Sequence, residues 1–153
     1  MHRVLIGLLL CGIAFADDEL DLAFERDVLV ITASAHACYR FDIYLALERD
    51  QQRRGLMHVR SLPATTGMLF VYEGMSRRSM WMKNTLSPLD IIFARDDGRV
   101  SSIAKNTEPQ SLESIASLEP VKYVLELKAG TTDRLAIDDN SRLLWRDTYG
   151  FIE

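Results

Sequence analysis

The stretch LDIIFARDDGRVSSIA, residues 89–104, decides how this chain folds. Two apolar runs lie on either side of Asp97-Gly98. An Asp-Gly pair in this setting is typical of a β-hairpin, because glycine adopts positive φ without steric cost. We therefore predict two antiparallel strands, over 89–94 and 99–104, and the rest of the sequence has to be placed around them.

Short strand patterns continue on both sides of this hairpin. They cover residues 28–32, 39–47, 68–72, 79–83, 121–128 and 143–145. The 39–47 segment alternates apolar and polar residues, which predicts a strand with one buried face.

Helical patterns are few. The polar segment 50–54, with Asp50 as its N-capping residue and Gly55 as its stop, predicts one short surface helix. Residues 107–120 are polar and contain prolines, so we expect a long loop there with one helical turn near 112–116. The fold class that follows is mainly β: a sandwich or partly closed barrel of about seven to eight short strands with one or two short helices.

Composition restricts the class of protein. The chain has 153 residues, of which 48% are hydrophobic, with 18 Lys and Arg against 22 Asp and Glu. These values describe one globular domain preceded by a shorter segment. The formal net charge is −4 and the basic residues are scattered. Because nucleic-acid binding depends on clustered Lys and Arg, we expect no nucleic-acid partner.

Residues 1–16 have the layout of a secretory signal peptide. A basic start is followed by an apolar run of 12 residues over 4–15, and Ala14-Phe15-Ala16 has the A-x-A form of a cleavage site. A membrane-spanning helix needs roughly 17–25 residues, so no stable transmembrane anchor is expected after cleavage. We therefore predict an exported protein, either periplasmic or extracellular.

Cleavage after Ala16 leaves an acidic lead-in over 17–26 and a single β-rich domain over 27–153. Cys11 departs with the leader, so Cys38 is the remaining cysteine and cannot form an intrachain disulfide. A hydrophobic core has to hold the domain together.

The catalytic motifs G-x-S-x-G, H-E-x-x-H and C-x-x-C are absent from the sequence. His36 and His58 each lack a second ligand at metal spacing. We therefore name no catalytic residue, metal ligand or cofactor, and the sequence favours a protein that is not an enzyme.

Residues 53–92 contain an unusual density of large and charged side chains. If 80–83 is extended, Trp81 and Lys83 share one face, and Met80 and Met82 share the other. The core would take one face and the other could recognise a ligand.

Two acids interrupt otherwise apolar strands. Asp90 lies opposite the apolar face of the 89–94 strand, and Glu126 interrupts the 121–128 strand. Acids in such positions need partners, which Lys83, Arg54 or a backbone turn could supply. Two interpretations stay open: a structural charge network, or a polar and aromatic ligand site.

The five methionines after the leader lie within 26 positions of one another. They are Met57, Met68, Met75, Met80 and Met82. Thioethers together with His58 would suit Cu(I), whereas methionine is also the common filler of irregular cores.

Several blocks of the sequence resemble a known family. They are Arg54-Gly55-Leu56-Met57-His58, Leu62-Pro63, Gly67-Met68-Leu69-Phe70, Trp81-Met82-Lys83-Asn84-Thr85, Pro88-Leu89-Asp90-Ile91-Ile92-Phe93, Gly98-Arg99-Val100, Tyr123-Val124-Leu125-Glu126-Leu127 and Ala129-Gly130. Their order, from about Thr32 to Trp145, resembles the domain-of-unknown-function family 192, also catalogued as uncharacterised protein family 0127. The resemblance implies a small, mostly β domain that is commonly exported, and it implies no activity.

The family motif maps onto six positions of this sequence, for which the resemblance gives no roles. They are Arg54, Trp81, Lys83, Asn84, Asp90 and Glu126. One departure is the segment 137–140, which stands where the family has a glycine-aspartate turn after its last short helix.

The leading functional interpretation is an exported, envelope-associated accessory or ligand-binding domain without catalysis. Its partner would be a small molecule or an envelope component that the sequence does not name. One alternative is a hydrolase or transferase acting on an envelope sugar or peptide, with Asp90 or Glu126 as general acid or base. Another alternative is a Cu(I)-binding protein that uses the methionines.

Overall fold

The computed structural model describes residues 16–33 and 37–146. The predicted leader lies outside the described residues except for Ala16, and His36 also lies outside them. In the described ranges, no helix is both long and apolar enough to cross a membrane.

Within these ranges the chain forms nine strands and three short helices. The strands are β1 (Glu25–Thr32), β2 (Cys38–Ala46), β3 (Thr66–Ser76), β4 (Ser79–Met80), β5 (Leu89–Ala94), β6 (Val100–Ala104), β7 (Ile115–Ala116), β8 (Val121–Lys128) and β9 (Arg142–Leu144). The helices are α1 (Ala16–Ala23), α2 (Arg49–Arg54) and α3 (Thr131–Arg134).

Seven strands form one sheet in the order β6-β5-β8-β3-β2-β1-β9, and β4 pairs with β7 in a second small sheet. All neighbouring pairs of the large sheet are antiparallel except β2 and β3. The two edges meet: Val100 N donates to Ser141 O at 3.0 Å, and Leu143 N donates to Gly98 O at 2.8 Å. The mainly β prediction is confirmed, in the form of a nearly closed barrel.

The hairpin predicted over residues 89–104 is present as β5 and β6. Gly98 has φ +83°, and its N–H donates to Arg95 O at 3.0 Å. Arg95 N in turn donates to Arg99 O at 3.0 Å. The Asp-Gly turn therefore has the positive-φ glycine that the sequence indicated.

Two hydrophobic cores lie on the two faces of the sheet. The inner core draws on all seven strands and includes Leu29, Phe41, Ile43, Leu69, Ile92, Val100, Leu125 and Leu143. The outer core draws on β2, β3, β5 and β8 and includes Tyr44, Met68, Phe70, Ile91, Phe93 and Val124. Residues from α1 and from the loops that follow α2 and β4 cover this outer face, namely Leu20, Phe24, Leu56, Val59, Leu62 and Met82.

The outer core explains one departure from the sequence prediction. We expected the second strand to bury one face, yet Tyr44 and Ala46 are buried as well. They face α1, and α1 formed from the segment that we expected to be an acidic lead-in. Its Leu20 is buried in the outer core together with Phe24.

Two local predictions were wrong. The helical turn expected near 112–116 is instead strand β7, because Ile115 pairs with Met80 of β4. Helix α2 is capped by Glu48 in a capping box with Gln51, so Asp50 is not its N-cap. Gly55 does end α2 as predicted, with φ +47°.

Replacement of Gly67 by Ala should destabilise the barrel. A Cβ at Gly67 would lie 2.7 Å from a methyl of Leu127 and 2.9 Å from the Glu126 carbonyl oxygen. Overpacking of this kind costs about 1–3 kcal/mol. Gly74→Ala, in the same strand, is the matched control, since nothing lies within 4 Å of its added Cβ. Urea unfolding measures both variants, and equal midpoints would contradict the close β3–β8 contact.

Candidate functional site

A cavity of about 80 Å³ lies on the outer face of the barrel. Strands β3 and β8, helix α2 and the segment 79–85 contribute its walls. Its polar and aromatic lining residues are Gln52, Arg53, Arg54, Phe70, Tyr72, Ser79, Trp81, Lys83, Thr85 and Glu126. One water molecule needs about 10–15 Å³, so a cavity of about 80 Å³ has room for a few groups of that size and not for a whole drug-sized molecule.

Glu126 forms the polar base of this cavity. It pairs with Met68 of β3 and with Ile91 of β5, two residues of the outer core, so its side chain lies on the outer face. The residue is only 4% exposed, and among the described residues no hydrogen-bond partner reaches its Oε2 atom. A buried polar atom without a partner is unusual, because folded proteins pair most such atoms.

Burial raises the pKa of Glu126 to about 8. The carboxyl group therefore carries its proton at pH 7, when it can donate one hydrogen bond and accept others. Burial also raises the pKa of Tyr72, with the charge of Arg78 acting against this and that of Glu126 adding to it. Tyr72 and Glu126 are thus within electrostatic reach of one another.

The two cations that the sequence offered as partners for the acids are directed elsewhere. An Arg54 Nη2–Glu19 Oε1 ion pair of 2.7 Å ties Arg54 to α1, and its guanidinium lies 5.6 Å from the ring centre of Phe24. The ammonium of Lys83 lies 5.1 Å from the ring centre of Trp81. In the described structure neither cation forms an ion pair with Glu126.

Trp81 forms an exposed edge of the site. Its side chain is 45% exposed, whereas Met80 and Met82 are buried in the outer core. This alternation matches the sequence prediction, although β4 ends at Met80 and Lys83 lies in a turn. An exposed indole beside a cavity is a common element of recognition surfaces.

Asn84 supports the site from outside the cavity lining. It has φ +55°, and its carbonyl accepts a hydrogen bond from His58 N at 2.9 Å. This contact holds the loop after α2 against the segment 79–85. Asn84 therefore fixes the relative position of two walls of the cavity.

Asp90 lies on the other face of the sheet, where it pairs with Leu127. It is fully buried and accepts three hydrogen bonds: from Thr132 N at 2.9 Å, from Thr132 Oγ1 at 2.8 Å and from Asn106 N at 3.0 Å. A backbone turn thus supplies its partners, which is one of the options that the sequence left open. Asp90 anchors α3 and is not part of the cavity.

The structure therefore divides the six predicted site residues into three groups. Arg54, Trp81, Lys83 and Glu126 line the cavity, Asn84 braces it, and Asp90 is structural. Sequence reasoning missed Tyr72, whose signal was its position two residues after Phe70 on a predicted strand. It also missed Ser79 and Thr85.

The methionines are distributed between core and surface. Met68, Met80 and Met82 belong to the outer core, and Thr107 Oγ1 lies 3.2 Å from the sulfur of Met82. Met57 is partly buried and Met75 is 42% exposed. Across the described residues no group of three or more His, Cys, Asp and Glu could hold a metal ion.

The fold and site define a small, mainly β, barrel-like domain with a cavity on its outer face. The chain belongs to the DUF192 family, described as "Uncharacterized ACR", whose model matches residues 29–145. The resemblance noted in the sequence is thereby confirmed. No curated protein matches the chain.

Solved structures that are similar to this chain include two proteins from bacteria. A Sinorhizobium meliloti 1021 protein named a "putative transcription regulator" is 36% identical with a TM-score of 0.78, over 79% of this chain and 94% of that one. A protein of unknown function from Novosphingobium aromaticivorans DSM 12444 is 31% identical with a TM-score of 0.77, over 80% of this chain and 86% of that one.

The ionisation of Glu126 should make stability depend on pH. Its pKa is about 8 in the folded protein against a usual value of 4.5, so the folded state holds the proton more tightly. The stabilisation of the folded state by this proton is fully present below pH 4.5. It is lost as the pH rises to about 8, and the unfolding free energy falls by about 1.4 kcal/mol per pH unit over this range.

Glu126→Gln removes this titration and keeps the shape of the side chain. We expect the unfolding free energy of the variant to rise relative to the wild type between about pH 4.5 and 8. Denaturant unfolding at several pH values measures the difference. A difference that does not change across this window would contradict a buried, protonated Glu126.

Proposed function

We propose that this protein is an exported, envelope-associated binding domain, and that its outer-face cavity accepts a polar group of a small ligand without catalysing a reaction on it. The observation that carries the proposal is Glu126, a buried carboxyl whose Oε2 lacks a hydrogen-bond partner in the described structure, at the base of a cavity.

The free-energy cost of leaving the Oε2 atom of Glu126 without a hydrogen bond favours the binding of a ligand. An unsatisfied buried polar group costs about 1–3 kcal/mol, and a ligand that forms the missing hydrogen bond recovers part of this cost. The neutral carboxyl of Glu126 can both donate and accept. A hydroxyl or an amide group on the ligand would match it.

The edge of the cavity supports the same function. Trp81 offers an exposed aromatic surface, and Lys83 and Arg54 offer charged groups beside it. A few well-placed polar groups next to aromatic surface are the usual composition of a small-molecule site.

Binding is favoured over hydrolysis or transfer because Glu126 is the one acid among the described residues that line the cavity. Glycoside hydrolysis commonly uses two carboxylates on opposite sides of the scissile bond. Asp90, the other acid that the sequence offered, lies on the opposite face of the sheet and is occupied by three donors.

The position of α1 supports the proposal of export. Leu20 is 2% exposed and Phe24 is 4% exposed, so residues shortly after the predicted cleavage position at Ala16 belong to the folded domain and would remain in the mature chain. The description of the Sinorhizobium protein as a transcription regulator applies to that protein and assigns no role to the present chain. The net charge of −4 of the present chain favours a ligand other than nucleic acid.

A fragment screen followed by NMR tests the binding function. We expect fragments with hydroxyl or amide groups to shift the indole N–H signal of Trp81, and Trp81→Ala to weaken their binding at least tenfold. Because Trp81 is 45% exposed, the same change should alter the unfolding free energy by less than about 1 kcal/mol.

Leu118→Ala is the matched control for this screen, since Leu118 is 72% exposed and lies outside the cavity lining. Its fragment binding should equal that of the wild type. A loss of about 3–5 kcal/mol of stability in Trp81→Ala would identify Trp81 as core, and the binding function would then be wrong.

Intact-mass measurement of the exported protein tests the leader. We expect a mature chain that begins at Asp17, because the segment before it has the three parts of a signal peptide. A secreted species that still begins at Met1, or one that carries a lipid on Cys11, would contradict this cleavage.

A further inference from the structure

We propose that the ligand of the outer-face cavity is a small hydroxylated anion of the sugar-acid type, with a hydroxyl at Glu126 and its carboxylate near Lys83. This inference rests on the proposed binding function and adds the chemical class of the ligand.

The base of the cavity selects a hydroxyl. The space of about 80 Å³ admits a small polar group, and the acid that lines it is Glu126, whose Oε2 has no hydrogen-bond partner in the described structure. Burial keeps that carboxyl neutral at pH 7, so it offers a donor together with acceptors. A hydroxyl has the same combination and can satisfy both.

An amine on the ligand would fit the bottom of the cavity, where Glu126 lies, less well than a hydroxyl does. To form an ion pair it would have to ionise Glu126 inside a buried site, against the desolvation that keeps the proton on the carboxyl. It would also have to approach past the cations at the edge of the cavity.

The walls of the cavity select an anion. Among its described lining residues, Arg53, Arg54 and Lys83 are cationic, and Glu126 is the one acid. The chain as a whole is acidic, with a formal net charge of −4, so this local excess of positive charge opposes the overall charge. Such a local field attracts ligands of the opposite sign.

Lys83 is the cation most available to a ligand. Arg54 is engaged with Glu19 at 2.7 Å, and Arg53 lies 3.6 Å from Asp50. Lys83 is exposed, and in the described part of the chain no carboxylate lies within ion-pair distance of it. Its contact is with the ring of Trp81, which holds the ammonium beside the cavity mouth.

The different depths of the two groups suit a sugar acid. Glu126 lies at the base, whereas Lys83 and the half-exposed Trp81 lie at the exposed edge. One hydroxyl of the ligand can therefore enter while the remainder stays outside. The carbon face of a sugar ring can contact an indole, which leaves its carboxylate close to the ammonium.

Three sugars with the same ring and different charges test the proposal: D-glucuronate, D-glucose and D-glucosamine. Their binding to the full protein is measured by NMR titration at pH 6.5 and low salt. We expect D-glucuronate to bind at least tenfold more tightly than D-glucose, and D-glucosamine to bind most weakly.

Variants separate the two contacts. Lys83→Met should remove the preference of D-glucuronate over D-glucose, whereas Lys128→Met, at an exposed lysine outside the cavity lining, should keep it. Glu126→Leu should weaken both sugars at least tenfold, and Glu126→Gln should retain most of the binding because an amide still donates and accepts. Unfolding midpoints confirm that each variant is folded.

The outcomes distinguish this inference from the proposed function. Tightest binding of D-glucosamine, or a D-glucuronate preference that Lys83→Met leaves intact, overturns the sugar-acid inference while the cavity remains a binding site. Binding of fragments at Trp81 with no binding of the three sugars does the same. Failure of both fragments and sugars overturns the proposed function as well.

Discussion

Strand β8 lies between β3 and β5 in the sheet, and its residues 123–127 are buried on both faces. A strand buried on both sides needs cover on each of them. Closure of the barrel supplies the inner cover, and α1 with the loops after α2 and β4 supplies the outer cover. The cavity lies within this outer cover, so the constraint that shapes the fold also places the site.

Two buried acids on neighbouring strands have opposite electrostatic solutions. Asp90 on β5 accepts three hydrogen bonds, and the two from Thr132 fix α3 against the barrel. Glu126 on β8 keeps its proton because burial disfavours its charged form. The first arrangement contributes to stability. The second leaves a polar oxygen unpaired at a cost to stability, and such a cost is typical of positions maintained for recognition.

The sequence predicted those parts of the fold that local pattern controls. The β5–β6 hairpin follows from its Asp-Gly turn, β8 follows from its alternating pattern, and the end of α2 follows from Gly55. The placement of Trp81 on the face opposite Met80 and Met82 also followed from alternation, whereas the folded chain shows which of the two faces is exposed. These features depend on neighbours within a few residues, which a sequence displays directly.

The features that the sequence did not predict depend on distant contacts. Strand β7 exists because Ile115 pairs with Met80, a partner 35 positions away. Helix α1 gains its stability from packing Leu20 against the outer core. The sequence also did not indicate which of the two acids, Asp90 or Glu126, has hydrogen-bond partners. Both residues interrupt apolar strands, and they differ only in the groups that the folded chain places beside them.

The backbone around the cavity adds separate support to the proposed binding site. Gly55, His58 and Asn84 all have positive φ, at +47°, +67° and +55°, and two of the three carry a side chain. Such conformations cost free energy for a residue with a Cβ, and they persist where the surrounding structure holds them. Here the hydrogen bond from His58 N to Asn84 O holds them, and it joins the two loops that border Glu126, Trp81 and Lys83. Their meeting keeps the cavity walls at a fixed separation, and a binding site that is held in place before its ligand arrives loses less conformational entropy on binding.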